Sequence, residues 1–162
     1  ELCDAVVQVF YPGAEGGEAV ADILFGKDCP SGKLPVTFYK STGQLPDFKA
    51  YDMDNRTYRY LKEDPLFPFG FGLSYTEFEV RDVGFGQDAA VCTVKNSGNY
   101  DGYAVIKVYV KSPGYKQLNK QLTGFEKVFV KQGEEKKISI SLCREIIEQI
   151  REYGDIQYEI ES

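Results

Sequence analysis

For most of the stretch from Glu77 onward, apolar residues fall at every second position. That period places side chains on alternate faces of a pleated strand and does not suit a helix. Phe78 and Val80 alternate with Glu77, Glu79 and Arg81, and Ala90, Cys92 and Val94 with Val91, Thr93 and Lys95. Ala104, Ile106, Val108 and Val110 alternate with Val105, Lys107, Tyr109 and Lys111. Val128 and Val130 lead into the turn residues Lys131-Gln132-Gly133-Glu134, after which Ile138, Ile140 and Leu142 alternate with Lys137, Ser139 and Ser141. Ile156, Tyr158 and Ile160 share one face of a last strand, and Asn96-Ser97-Gly98-Asn99 is a strong turn signal between two earlier ones. One segment breaks the rule: Arg144 to Tyr153 has Ile146, Ile147, Ile150 and Tyr153 at helical spacing.

With Leu122–Gly124 taken as a separate strand, about seven short strands result, which fits a β-sandwich of immunoglobulin or fibronectin III type. The first forty residues read differently. Residues 5–10, AVVQVF, form an apolar run of strand length, as in sheets covered on both faces. After the turn YPG, a helix is expected from Gly16, with Glu15 and Glu18 at its positive end and Val20, Ile23 and Leu24 in one stripe. Gly26 stands just past its end as a C-cap candidate, Pro30-Ser31-Gly32 is turn chemistry, and Leu34 to Phe38 is a short strand. One strand–helix–strand unit cannot bury both faces of its first strand, so it reads as the tail of a larger α/β domain; pairing with a second copy of the chain is the other way to cover it. The opening residues likewise read as the inside of a domain, with no signal peptide visible. Residues 40–75 carry many aromatics and several prolines, including PLFPFGFGLSY from Pro65 to Tyr75. A disordered linker is poor in aromatics, so this segment is expected to lie on a surface as a packed extended strap. The expected fold is therefore mainly β: a sandwich at 77–162, a strap at 41–76 and a strand–helix–strand remnant of an α/β-sandwich domain at 1–40.

Composition narrows function mostly by exclusion. With 19 basic and 25 acidic residues among 162 the formal charge is −6, which argues against a nucleic-acid surface. No apolar run approaches the roughly 20 residues that span a bilayer. Cys3, Cys29, Cys92 and Cys143 are widely spaced with no histidine anywhere, so a zinc site is not expected; free, mostly buried thiols are, and these favour a reducing, cytoplasmic compartment over a secreted one. Without histidine, the usual serine and cysteine nucleophile arrangements are excluded. Asp52-Met53-Asp54-Asn55 opens like a calcium loop but lacks the glycine at its sixth position. Gly13, Gly16 and Gly17 allow a tight strand-to-helix turn, and Glu15 and Glu18 beside them would repel a phosphate. Asp47, Asp52, Asp54, Glu63 and Asp64 form the densest acid cluster and read as solvated loop acids. Tyr11, Tyr51, Tyr58, Tyr60, Phe67, Phe69 and Phe71 could stack on sugars, but aromatics in a strap more often fill a groove between domains.

The segments YPGAEGGEAVADILFG (11–26), PSGKLPVTF (30–38), QLP (44–46), RTYRY (56–60), PLFPFGFGLSYTEF (65–78), VKNSGNYDGYAVIKVYV (94–110), LTGFEKV (122–128) and QGEEKKISISL (132–142) occur in order along nearly the whole chain. Together they resemble the C-terminal part of glycoside hydrolase family 3, the β-glucosidases and their relatives. The resemblance implies a parent with a barrel, an α/β-sandwich domain and a fibronectin III-like domain, hydrolysing terminal β-linked sugars with retention. It implies a nucleophilic aspartate in the barrel and an acid/base glutamate upstream of the YPG…EGG helix. No catalytic residue, metal ligand or cofactor site is therefore expected in these 162 residues, and the expected partners are the remaining barrel and sandwich domains and, through them, a β-glucoside or oligosaccharide. Arg56 and Tyr58 are the candidate residues at the rim of the substrate pocket. A stand-alone carbohydrate-binding or structural interaction module is the alternative.

Overall fold

The computed structural model describes residues 4–114 and 119–162, so Cys3 lies outside the described residues. Among them, six strands form two three-stranded antiparallel sheets. One has the order β1 (Phe78–Phe85), β2 (Ala89–Asn96), β5 (Glu135–Ser141); the other has the order β4 (Gln121–Val130), β3 (Gly102–Lys111), β6 (Gln157–Glu161). The period-two residues form the core between the sheets: Ala90, Cys92 and Val94 from β2 meet Ala104, Ile106 and Val108 from β3, with Val130 and Ile140. The first sheet keeps these residues in step, Ala90 opposite Ile140 and Cys92 opposite Ile138. The turn at 131–134 has Gly133 at φ +73° and closes with Glu134 N–H donating to Lys131 O at 2.9 Å.

Two expected strands are one. Gln121–Val130 pairs with β3 throughout, because β3 is itself ten residues long and offers partners along its whole length. The alternation breaks for two reasons: a register shift opposite Val108/Tyr109 makes Thr123 an extra residue, and Phe125 to Lys127 hang exposed on an edge strand. The helical exception is α3 (Arg144–Arg151), which buries Ile147 and Ile150 while Tyr153 stays 46% exposed.

The N-terminal part folds only in pieces. The helix α1 (Gly16–Leu24) starts where expected, and Gly26 at φ +71° ends it, its N–H donating to Ile23 O. Residues 5–10, however, form no strand: Val6, Val7, Val9 and Phe10 are 43–72% exposed. A strand needs a neighbour to take its backbone hydrogen bonds, and the described residues offer none there. Leu24 and Phe25, at 60% and 89% exposed, leave the end of the helix's apolar stripe uncovered. Amides of residues 5–14 are expected to exchange at near-unstructured rates, while those of β2 and β3 exchange only through global opening. Hydrogen exchange read by mass spectrometry checks this; equal protection in both would mean that a second chain covers the run.

Residues 34–38 pair with the strap rather than with an α/β sheet. Leu34 N–H donates to Phe71 O and Gly70 N–H to Leu34 O; Phe38 N–H donates to Phe67 O and Leu66 N–H to Phe38 O. The strap in turn lies on the outer face of β3, where Lys107 and Tyr109, outward by the alternation, are nonetheless buried. Of the described thiols, Cys92 is buried, Cys29 partly so and Cys143 exposed at the start of α3, so burial of the thiols is not general.

Candidate functional site

The strap is fixed on the sheet by a knot of charges and rings. Lys107 Nζ donates to Gly70 O at 2.8 Å and Lys33 Nζ to Gly72 O at 2.9 Å. Burial lowers the Lys107 ammonium from its ordinary value against the pull of Glu161; burial lowers Lys33 too, helped by the like charge of Lys107. Burial pushes the Tyr109 hydroxyl far up, and the nearby Glu161 charge adds to this, so it stays protonated. Gly70, at φ +81°, is required there: a Cβ would stand 2.9 Å from the Tyr109 hydroxyl and 3.1 Å from Lys107 Nζ.

Lys120 sits 4.5 Å above the Tyr109 ring and pairs with Glu159 at 2.8 Å and with Glu161. The Lys120 hydrogen bond holds the Glu159 carboxyl below its ordinary value. A carboxylate depressed in the folded state stabilises above its unfolded pKa, and that stabilisation is lost as pH falls through the folded value. Lys120→Met is therefore expected to flatten the loss of stability below about pH 4.5, read by acid titration of thermal midpoints against the parent chain.

Above this knot, the segment 35–39 and the strap bound an open cleft of about 560 Å³. Its walls include Pro35, Thr37, Tyr39, Met53, Thr57, Tyr58, Arg59, Tyr60 and Phe69, and hold no carboxylate. Tyr58 stacks on Phe69 (4.2 Å between centroids, 13° between planes), meets Tyr109 edge-on and accepts a hydrogen bond from Leu122 N–H at its hydroxyl. Arg56 does not line the cleft. Its guanidinium donates to the carbonyls of Ala50 (2.6 Å), Asp52 (3.0 Å) and Asp47 (3.4 Å), and so shapes the loop before the cleft. The two residues singled out in the sequence thus lie two positions apart in the chain but do different work: one forms a wall, the other braces a loop.

Sequence reasoning missed three features. Thr57 adopts φ +55°, an outlier for a β-branched residue, with its N–H donating to the Tyr39 hydroxyl. Asn119 holds the same turn from the sheet side: its Nδ2 donates to Tyr58 O and Leu61 O and its N–H to Arg59 O. Arg59 itself, partly buried in the wall, has its guanidinium 5.9 Å from the Tyr58 ring centre and makes no ion pair among the described residues. The Arg-Thr-Tyr-Arg-Tyr run of cations and rings at 56–60 was the available signal. The acids Asp47, Asp52, Asp54, Glu63 and Asp64 form no converging pair. Asp52 and Asp47 accept from nearby backbone, Asp54 pairs with Lys62, and Glu63 accepts from Gln44.

Residues 1–75 match the Glycosyl hydrolase family 3 C-terminal domain, and residues 104–155 match a fibronectin type III-like domain. A xylan 1,4-β-xylosidase of Xylanibacter ruminicola is 46% identical over 155 residues, covering 91% of this chain and 18% of that protein. A periplasmic β-glucosidase of Salmonella typhimurium is 38% identical, covering 88% and 21%. Among solved structures, a β-glucosidase of Thermotoga neapolitana in complex with glycerol superposes with a TM-score of 0.70 at 31% identity, covering 80% of this chain and 22% of that one. DesR, a β-glucosidase of Streptomyces venezuelae in complex with D-glucose, gives 0.69 at 31%, covering 78% and 19%. The chain thus spans about a fifth of the length of the curated relatives it matches. With two successive domain matches in family order and this identity along nearly all its length, the chain belongs to glycoside hydrolase family 3, as the C-terminal region of that architecture.

Proposed function

We propose that the chain is the bracing end of a retaining β-glycosidase that removes terminal β-linked sugars. Residues 1–40 close the α/β-sandwich domain, 41–76 strap it down and 77–162 form the fibronectin III-like brace. Arg56 and Tyr58 act here through the strap, the one shaping the 47–52 loop and the other holding the cleft wall against the sheet. The observation that carries the reading is the 46% identity to a β-xylosidase across 91% of the chain. The chemistry agrees with it: retaining hydrolysis needs two carboxyl groups about 5 Å apart, and the walls of the cleft supply none. The reacting carboxyls are assigned to other parts of the parent.

Hydrolysis of aryl β-glucosides and β-xylosides tests this. The 162-residue chain alone is expected to give no rate above buffer, and the product of the uninterrupted gene is expected to give turnover. Measurable hydrolysis by the isolated chain would overturn the assignment. A saturating change in tyrosine fluorescence with added sugar, in the isolated chain, would mark it instead as a binding module.

A further inference from the structure

The cleft wall holds Arg59, a cation without an ion pair among the described residues. Arg59 is fixed at both ends of its peptide unit, its N–H donating to Thr57 Oγ1 at 3.3 Å and its carbonyl accepting from Asn119 N–H at 2.7 Å. Its guanidinium lies against the ring of Tyr58, which is itself backed by Phe69. Of the other four arginines, Arg56 is engaged on three carbonyls, Arg81 on Glu79 and Glu135, and Arg144 on Asp88, while Arg151 stands exposed at the end of α3, away from the cleft walls. An arginine whose backbone is fixed and whose guanidinium lies in a ring-lined wall, with no acid beside it among the described residues, has part of its ordering cost met and its charge unanswered. Apolar walls near it are open to solvent, with Val36 and Met53 each 48% exposed. Apolar surface gathered beside an unpaired cation is one mark of a site that a partner covers.

From these features we infer that the cleft is a socket between domains, in which Arg59 pairs bidentately with a carboxylate side chain from the part of the parent outside this chain. The inference rests on the reading of the chain as one region of a longer β-glycosidase. Charge complementarity selects the occupant: a neutral sugar would leave the guanidinium unanswered, whereas an aspartate or glutamate carried on an apolar segment satisfies both the cation and the rim. Arg59 is then a positioning residue, orienting the brace on the rest of the enzyme without touching the reacting sugar.

The test compares Arg59→Met and Arg59→Lys in two settings, the 162-residue chain and the full-length gene product. Arg59→Met is expected to leave the thermal midpoint of the short chain unchanged and to lower that of the full-length protein by about 5 °C, as loss of a covered ion pair would. Arg59→Lys should restore part of the shift, and high salt should narrow the difference between the parent and Arg59→Met only a little, because a covered pair is poorly screened. Equal loss in both settings would place the partner of Arg59 within this chain, and no loss in either would make it an idle surface cation; each overturns the inference. Glucose or xylose raising the midpoint of the isolated chain, with the rise abolished by Arg59→Met, would make a sugar the occupant and also overturn it. A gene product in which Arg59→Met changes nothing but hydrolysis is intact would sink the socket and leave the parent assignment standing; a gene without a hydrolase barrel would sink both.

Discussion

Asn96→Ala lowers the unfolding free energy of the sandwich by about 4 kcal/mol, the largest effect expected of any single polar residue in the chain. Asn96 is fully buried. Its Nδ2 donates to Val130 O at 3.0 Å and to Tyr100 O at 2.7 Å. Its Oδ1 accepts from the Thr76 hydroxyl at 2.7 Å and from Gly98 N–H at 3.1 Å. Its own backbone joins the turn of residues 131–134, N–H to Glu134 O and O from Gly133 N–H. One side chain therefore ties the end of β2 to the end of β4, to the residues just before β1 and to the turn that follows β2. Alanine leaves four partners without it inside a site too closed for all of them to find water, and each orphaned group costs about 1–3 kcal/mol. Asn96→Asp separates geometry from hydrogen bonding. It keeps both acceptor roles but faces two carbonyls with a charge, so its penalty should grow as pH rises and shrink on acidification, when the carboxyl can donate. Urea unfolding of both variants at neutral and acid pH reads the result; a loss under 1 kcal/mol for the alanine variant would show that solvent reaches these groups.

The sandwich was legible because burial on one face of a pleated strand writes itself into every second residue, and Ala90-Cys92-Val94 and Ala104-Ile106-Val108 carry that signal without interruption. Asn96 was legible only as a turn residue. The pattern Asn-Ser-Gly-Asn says that the chain reverses, but its role as a hub depends on Thr76 and Val130, 20 and 34 positions away. The strap shows the same division. Its aromatics announced that it lies on something, yet Lys107 and Tyr109 read as the solvent side of β3 until the strap is seen to cover them. The run at 5–10 failed in the other direction. Its composition suits a strand, but a strand exists only where a neighbour accepts its backbone, and no local signal supplies one. At the cleft, the spacing of Arg56 and Tyr58 could mark the region but could not say which of Arg56 and Arg59 spends its charge on backbone carbonyls and which keeps it.

Gly72→Ala is expected to release the strap while leaving the sandwich folded. A Cβ at this position would stand 2.1 Å from Gly32 O and 3.2 Å from Gly32 C, both backbone atoms that cannot swing aside, and 3.1 Å from Lys33 Cδ. Relief needs the two segments to separate, which lengthens the neighbouring bonds Leu34 N–H to Phe71 O and Gly70 N–H to Leu34 O and removes Lys33 Nζ from Gly72 O. Overpacking of this kind costs about 3 kcal/mol, and here it falls on the strap's contact with residues 32–38, because the sandwich core draws on neither segment. The amides of Leu34, Phe38 and Gly70 should then exchange about 100-fold faster, while those of Val94 and Val108 keep their rates. Gly133→Ala is the control of opposite character: φ is +73° but nothing lies within 4 Å of the added carbon, so the strain stays in the 131–134 turn and the strap amides should not respond. If Gly72→Ala instead accelerates exchange in β2 and β3 as much as in the strap, the strap and the sandwich open as one unit, and the strap belongs to the folding core of the brace rather than being a cover laid upon it.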